Sequence, residues 1–523
     1  MLFFCVVTHR SNMGVVGTIS ILVSSSVCLY MVLVLIKLFH RLWWTPIQVQ
    51  RMLSSQGIGG PSYRFIHGNT KEIRMMRAES MSTPMDLSHQ IFHRLQPHLH
   101  SWLKIYGKNF LMWNGPKAQL VITDSEFAKE ILKNKEKAYP QMEVEGYLKK
   151  LLGSSLVTSE GEKWSKLRKL ANHALHAESL KNMVPAMVSS VEMMLERWKQ
   201  YEGKEIEIFE EFRVLTSEVI SKTAFGSSYL EGKDIFEMLT HLGTITSRNV
   251  FKIRLPVISQ FWKSSDDIES EKLEQGIQDS ILEIIKKREN AELDNYGTDL
   301  LGLLVKASND ADENKRITVE TVVDECKAFY IAGHETTTTL LAWSVLLLAI
   351  HTDWQEEARK EVLQLFDQQY PNAEGIPKMK KMNMIINESL RLYPPIINIT
   401  RKVQRKVKLG QLILPANINV TILTLALHLD PQIWGDDVYL FKPERFSEGI
   451  AKATNNNPGV YLPFGFGQRS CVGMNFAINE TKIALSMILQ RYAFTLSPTY
   501  THSPIQVLTV RPQHGIQVKL HAL

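Results

Sequence analysis

Apolar and polar positions alternate with two different periods along most of this chain, but its start lacks any alternation. From Met13 to Ile36, MGVVGTISILVSSSVCLYMVLVLI carries no charged residue. As a helix it would extend about 36 Å, enough to span a bilayer's hydrocarbon with some tilt. A secretory signal has a shorter apolar run, roughly 7 to 15 residues, and an A-x-A-like cleavage site. Neither is present, so an uncleaved anchor is expected. Lys37, Arg41 and Arg51 after the span outweigh Arg10 and the amino terminus before it. The positive-inside rule then leaves 1–12 as a lumenal tail and the bulk of the chain in the cytosol. Trp43 and Trp44 stand where interfacial aromatics are expected, or where they would pack on the globule. GIGGPSYRFIHGN (57–69) has the composition of a stiff, turning connection. The expected organisation is an anchor at 13–36, a basic and Pro/Gly linker at 37–69, and one catalytic domain at 70–523.

Beyond the linker, apolar residues recur at helical spacing through 86–106, 124–134, 162–201, 206–224, 266–288 and 318–366. KAQLVIT (117–123) and the stretch 397–425 have strand character, the latter alternating around a glycine and a proline as hairpins do. The fold class is therefore mainly α with a small β portion. Thr318 is a fitting N-cap for a helix running to about Ile350, and Asp353 with Glu356 has the spacing of a capping box for the next. Inside the long helix, AGHETTTT places Gly333 and four threonines in apolar surroundings. Glycine lowers helix propensity, and threonine hydroxyls bond back to carbonyls one turn earlier, so a loosened turn is expected there. Residues 430–460 read as a long irregular segment, which in a compact domain usually covers something.

Composition narrows this picture. Sixty basic against 54 acidic residues give a net charge of +6, too mild at this length to imply a nucleic-acid protein. Four cysteines, at 5, 28, 326 and 471, form neither a disulfide framework nor a CxxC pair. Four N-x-S/T triplets, at Asn387, Asn398, Asn419 and Asn479, are chance matches in a cytosolic domain. No dinucleotide or flavin fingerprint is present, so electrons for any redox chemistry must come from a partner.

FGFGQRSCVG (464–473) sets one cysteine among glycines, two residues after an arginine. Lone cysteines are more often inert buried residues than ligands. A thiolate, however, is a strongly donating axial ligand for haem iron, and Cys471 suits that role. Gly465, Gly467 and Gly473 would let a flat macrocycle approach the backbone. Backbone N–H groups would steady the sulfur's charge. Arg469 offers a cation for a propionate, and Phe464 a ring to keep water from the sulfur. Trp164 and Arg168, four apart on one helical face, can both reach propionate oxygens. Glu335 and Thr336 put an acid beside an alcohol at the loosened turn, a pair able to move protons. His334, between them and the preceding turn, receives no catalytic role.

The spacing F-x-x-G-x-R-x-C-x-G arises by chance in about one chain in 10⁴ to 10⁵ of this length, and it resembles the haem-binding signature of the cytochrome P450 family, the haem-thiolate monooxygenases. AGHETT (332–337), ESLR (388–391), FKPERF (441–446) and WSKLR (164–168) resemble further motifs of that family in the right order. The resemblance covers essentially the whole chain. It implies the P450 fold, with haem b (iron protoporphyrin IX) between the long central helix and the Cys471 loop, preceded by one transmembrane helix. It implies that Glu388, Arg391 and Arg445 form a buried structural network, that Arg401 holds a propionate, and that Phe329, Ala332, Ile396, Ile397 and the turn 497–504 line an apolar substrate pocket. The partners implied are O2, a lipophilic small molecule and a microsomal NADPH-cytochrome P450 reductase, for which KWSKLRK (163–169) supplies basic residues. The location implied is the endoplasmic reticulum membrane. The motif wording resembles plant members that oxidise terpenoids and hormones. An isomerase or dehydratase, or a non-catalytic haem carrier, would not need the intact Glu335–Thr336 pair.

Overall fold

The helix expected from Thr318 runs Val319–Ile350, and the Thr318 hydroxyl accepts the Thr321 N–H at 3.2 Å as its cap. Thirty-two residues make it about 48 Å long. From Thr337 to Ala349 every side chain is buried, because helices Ile208–Ala224, Lys380–Leu392 and Met474–Arg491 all pack on it. The computed structural model describes residues 22–252, 263–290, 296–313 and 316–523. The expected tail 1–12, with Cys5 and Arg10, and the first part of the anchor, 13–21, lie outside the described residues.

Three helical expectations are corrected. Asp353 does not cap the helix Thr352–Phe366; His351 ends one helix and starts the next, leaving no extended residue at Asp353, and Glu356 pairs instead with Arg359. The run at 86–106 turns helical only at Phe92, and that at 162–201 breaks at Leu175 and His176 between Gly161–Ala174 and Ala177–Trp198. Segment 430–460 is folded into single turns, Pro431–Trp434, Pro443–Phe446, Ile450–Ala453 and Pro458–Val460.

The larger sheet joins Asn109–Asn114, Lys117–Ile122, Asn419–Leu423 and Asn398–Lys402 in that spatial order, the middle pair parallel and the outer pairs antiparallel. The hairpin expected between 397 and 425 is Val407–Leu409 with Leu412–Leu414, turning at Gly410, whose φ is +56°. A second sheet joins Glu205–Glu207, Gln517–Ala522 and Tyr492–Leu496. The main core surrounds the central helix, and a second apolar cluster lies under the larger sheet.

Among the described residues one helix, Leu22–Ser54, is long and apolar enough to cross a membrane; its most apolar window has mean hydropathy 2.2 and is not buried at all. It passes through one π-helical turn, His40–Trp44, and continues as Thr45–Ser54 against the second cluster, with Pro46 and Leu53 buried. The first part of the expected linker is thus helical and attached. The Gln56 side chain donates to Ile413 O at 3.0 Å and accepts its N–H at 2.6 Å. Trp43 packs edge-on to Phe65 at 5.8 Å, while Trp44 stays exposed.

Candidate functional site

The stretch around Cys471 closes on itself. Cys471 N–H donates to Phe464 O at 2.8 Å, and Gly467–Arg469 forms a 3₁₀ turn before helix Met474–Arg491 begins. Gly465 and Gly467 both have left-handed φ, +69° and +75°, but for different reasons. A Cβ at Gly465 would meet nothing nearer than 3.9 Å, so this position leaves open space. A Cβ at Gly467 would come 2.5 Å from Leu132 O, so that glycine serves packing against helix Ser125–Lys133, not approach to a cofactor. The Cys471 sulfur is surrounded by protein yet open to an internal cavity. Burial pushes its thiol pKa up on balance, and the Gly473 N–H and the Arg168 charge partly offset this by favouring the charged sulfur.

That cavity holds about 650 Å³ and is lined mainly by apolar groups. Phe464, Gly465, Arg469 and Cys471 form one part of its wall; Trp164, Arg168 and Arg401 form another. Among the described residues only one of the three guanidiniums, that of Arg469, has a carboxylate partner. Arg469 pairs with Glu160 at 2.8 Å, donates to Ser159 O at 2.7 Å and lies 4.4 Å over the Trp164 ring. Arg168 donates to Ser470 O at 2.6 Å. Arg401 is 8% exposed on strand Asn398–Lys402 and donates to Thr400 O at 2.9 Å. Burial, aided by the Arg469 charge, brings its pKa down to about 10. Among the described residues neither Arg168 nor Arg401 has a carboxylate at ion-pair distance. A buried cation without a counter-charge is costly, and this rim suits an anionic carboxylate-bearing group.

The central helix contributes Phe329, Ala332, Gly333 and Thr336 to the cavity. The Thr336 hydroxyl donates to Ala332 O at 2.5 Å; Thr338 and Thr339 likewise bond back to His334 and Glu335. The expected back-bonding is present, yet the helix runs through it uninterrupted. Gly333 has a packing reason: a Cβ there would come 2.6 Å from Ile220 Cδ1 on the neighbouring helix. Glu335 does not line the cavity. It is buried on another face, where its Oε2 accepts from the Thr509 hydroxyl at 3.5 Å. Successive helical residues point about 100° apart, so Thr336 alone of the pair faces the cavity. His334 is packed, with its Nδ1 at 3.0 Å from Thr216 Oγ1; burial pushes its pKa down to about 3.

Two pocket expectations are corrected. Ile396 lines the cavity, but Ile397 is 1% exposed and turned into the main core. The turn 497–504 contributes nothing to the lining. Its His502 instead reaches Ser88 O at 3.1 Å and packs on the Trp343 ring.

Behind the cysteine loop, Arg391 and Glu388 are both fully buried and paired through two bonds, at 2.8 and 2.7 Å. Arg391 also donates to His428 O at 3.0 Å, Val438 O at 2.7 Å and Leu440 O at 3.3 Å. Glu388 accepts the Lys442 N–H at 3.0 Å and lies 3.5 Å from Arg445, which also holds Asp437 and Trp434 O. The three residues expected in a network therefore form one. Sequence reasoning missed what connects it to the cysteine loop. His428 Nε2 accepts the Leu462 N–H at 2.8 Å, and Tyr461 donates to Asn387 O at 2.8 Å. No local motif signalled either, because their partners lie 34 and 74 residues away.

The family described as "Cytochrome P450" matches residues 86–520. The chain is 63% identical over 522 residues to "Cytochrome P450 CYP749A22" of Panax ginseng, covering 98% of this chain and 99% of that protein. It is 42% identical over 503 residues to the "11-oxo-beta-amyrin 30-oxidase" of Glycyrrhiza uralensis, covering 92% and 94%. A solved structure, "Retinoic acid bound cyanobacterial CYP120A1", superposes with a TM-score of 0.73 at 26% identity, covering 83% of this chain and 96% of that one.

Proposed function

Since the chain belongs to the cytochrome P450 family, whose members are haem-dependent monooxygenases, we propose that it inserts one atom of O2 into a terpenoid or a similarly lipophilic plant hormone, using electrons that a reductase draws from NADPH. The observation that carries this reading is the convergence of Cys471, the uncompensated cations and Thr336 on one apolar cavity. The oxidase named for a β-amyrin derivative supports the substrate class.

The residues present fit haem: a sulfur donor with an N–H aimed at it, a cation excess suited to two propionates, and open space at Gly465. Cys471 would hold the iron, Arg168, Arg401, Arg469 and Trp164 the propionates, and Phe464 would shield the sulfur. Haem, when bound, supplies the activation of dioxygen. Thr336 Oγ1, already donating to Ala332 O, keeps its lone pairs free to accept a hydrogen bond from a water and so position that water as the proton donor into the cavity. Glu335 stands behind it as the acid that refills this relay, through water, on the side where Thr509 meets it. Phe329, Ala332 and Ile396 exclude bulk water and contact substrate. Glu388, Arg391 and Arg445 hold the fold. The anchor at 13–36 and linker at 37–69 would tether the catalytic domain, 70–523, to the cytosolic face of the endoplasmic reticulum.

The test is turnover of the full chain in microsomes with a plant reductase, on a panel of terpenoids and hormones under isotopically labelled O2. The expected product carries the label and requires NADPH. A rearranged or dehydrated product without label, formed in the absence of NADPH, would overturn the reading.

A further inference from the structure

One wall of the cavity is a loop. Residues 153–159 connect helix Gly146–Leu152 to helix Gly161–Ala174, and Leu156, Val157 and Thr158 line the cavity. Two consecutive acids of the central helix hold this loop. Asp324 Oδ2 accepts the Ser154 N–H at 2.7 Å, and Glu325 Oε1 accepts the Leu156 N–H through a short bond. Gly153, at φ +57°, lies so close beneath Asp324 that a Cβ would come 2.0 Å from its Oδ1. Lys327 pairs with Asp324 at 2.7 Å, and the Lys163 ammonium reaches the Ser154 hydroxyl at 3.1 Å. The far side of the loop is held by Arg469, at 2.7 Å from Ser159 O and 3.4 Å from Leu156 O, and by Gln141, whose amide reaches Val157 O at 2.8 Å.

Glu325 is unusual among these groups. It is 1% exposed, and among the described residues its side-chain hydrogen bond goes to this one amide. A carboxyl removed from water for a single amide is costly. Its place explains the arrangement. Glu325, Phe329, Ala332 and Thr336 follow one another at intervals of four, three and four, which is one stripe of the helix. The last three line the cavity, so the loop is fastened to the continuation of the cavity's own wall.

We propose that Asp324 and Glu325 are positioning residues that fix loop 153–159 against the central helix and thereby decide how large a molecule the cavity accepts. This rests on the reading of the cavity as the substrate site. Loss of either bond frees Leu156 and Val157 to move relative to Phe329, which changes the fit of bulky molecules more than that of small ones.

The test uses the full-length, haem-loaded enzyme and the variants Glu325→Ala, Glu325→Gln, Asp324→Ala and Gly153→Ala. Hydrogen exchange is followed at the amides of 154–156, and binding is measured by the spectral shifts of imidazole as a small probe and clotrimazole as a bulky one. Glu325→Ala is expected to speed exchange at these amides by about tenfold or more. It should change the clotrimazole-to-imidazole affinity ratio by a similar factor and leave the reduced carbon-monoxide spectrum unchanged. Glu325→Gln, whose amide oxygen still accepts the Leu156 N–H, should restore both readouts, and Gly153→Ala should reproduce the alanine phenotype. Unchanged exchange, or equal shifts in both azole affinities, would overturn the inference. Failure of the underlying reading would show separately, as a wild-type enzyme with no azole spectrum.

Discussion

Arg391→Ala should leave a chain unable to retain haem. All five N–H positions of a guanidinium are spoken for here: two bonds to Glu388 and three to the carbonyls of His428, Val438 and Leu440, with no exposed surface. Removing one partner of a buried ion pair costs about 3–5 kcal/mol, because the other charge stays buried. Each orphaned carbonyl adds about 1–3 kcal/mol. These costs overlap, but even their lower ends total about 6 kcal/mol, comparable with the whole stability of a typical domain, about 5–15 kcal/mol. The same carbonyls belong to the segment that, through His428 and Leu462, sets the cysteine loop. Haem occupancy per protein and the reduced carbon-monoxide spectrum provide the assay, alongside denaturant unfolding of whatever soluble protein forms. Arg391→Lys, with three donors and no planar fork, should lie between wild type and alanine. An alanine variant with full haem occupancy and an unshifted unfolding midpoint would refute the reasoning.

Cys471→Ala should lose the thiolate-type carbon-monoxide spectrum; retention of that spectrum would remove the sulfur from the assignment. Lys163→Glu with Lys169→Glu, both exposed positions on helix Gly161–Ala174, should slow reduction by the reductase while dithionite still gives the full carbon-monoxide spectrum; unchanged reduction kinetics would exclude this face. Glu325 supplies a pH dependence. Burial raises its carboxyl from 4.5 to about 7, against the Leu156 N–H and the Lys163 charge, which lower it. The folded state therefore binds the extra proton between these values, so this group's contribution is full below the unfolded pKa and is lost as pH rises to about 7, by up to about 3 kcal/mol. Glu325→Gln should gain stability relative to wild type between about pH 5 and about pH 8 in thermal unfolding; a pH-independent difference would contradict this.

Features carried by local chemistry were legible in the sequence. The central helix was bounded correctly because a capping threonine precedes it and an unbroken apolar run ends it. The cysteine loop and the Glu388–Arg391 spacing are compact enough to stand out. Helix Tyr229–Asn249 went unread although Ser228 and Glu231 form a complete capping box at its start. The Asp353–Glu356 pattern had the same spacing and no extended residue to act from. Spacing alone therefore does not separate the two. Glu335 and Thr336 look like one unit in the sequence, but helical geometry sends them to different faces. The latch at Asp324 and Glu325 was invisible for another reason: its partners are backbone amides, 170 and 169 residues distant, and amides carry no sequence signature.

The attachment of Thr45–Ser54 to the globule has a consequence for encounters in the membrane. A flexible tether would let the catalytic body tumble, and a partner would have to capture it from every attitude. Here the apolar helix runs without a break into a segment seated by Leu53, Pro46 and the Gln56–Ile413 pair. With that helix in a bilayer, tumbling of the body would be restricted, and the lysines of helix Gly161–Ala174 would keep to a narrower range of heights above the lipid. For the anchored reductase proposed as its electron donor, the search would then be confined to a plane, and much of the orientational entropy of docking would be lost before the two proteins meet.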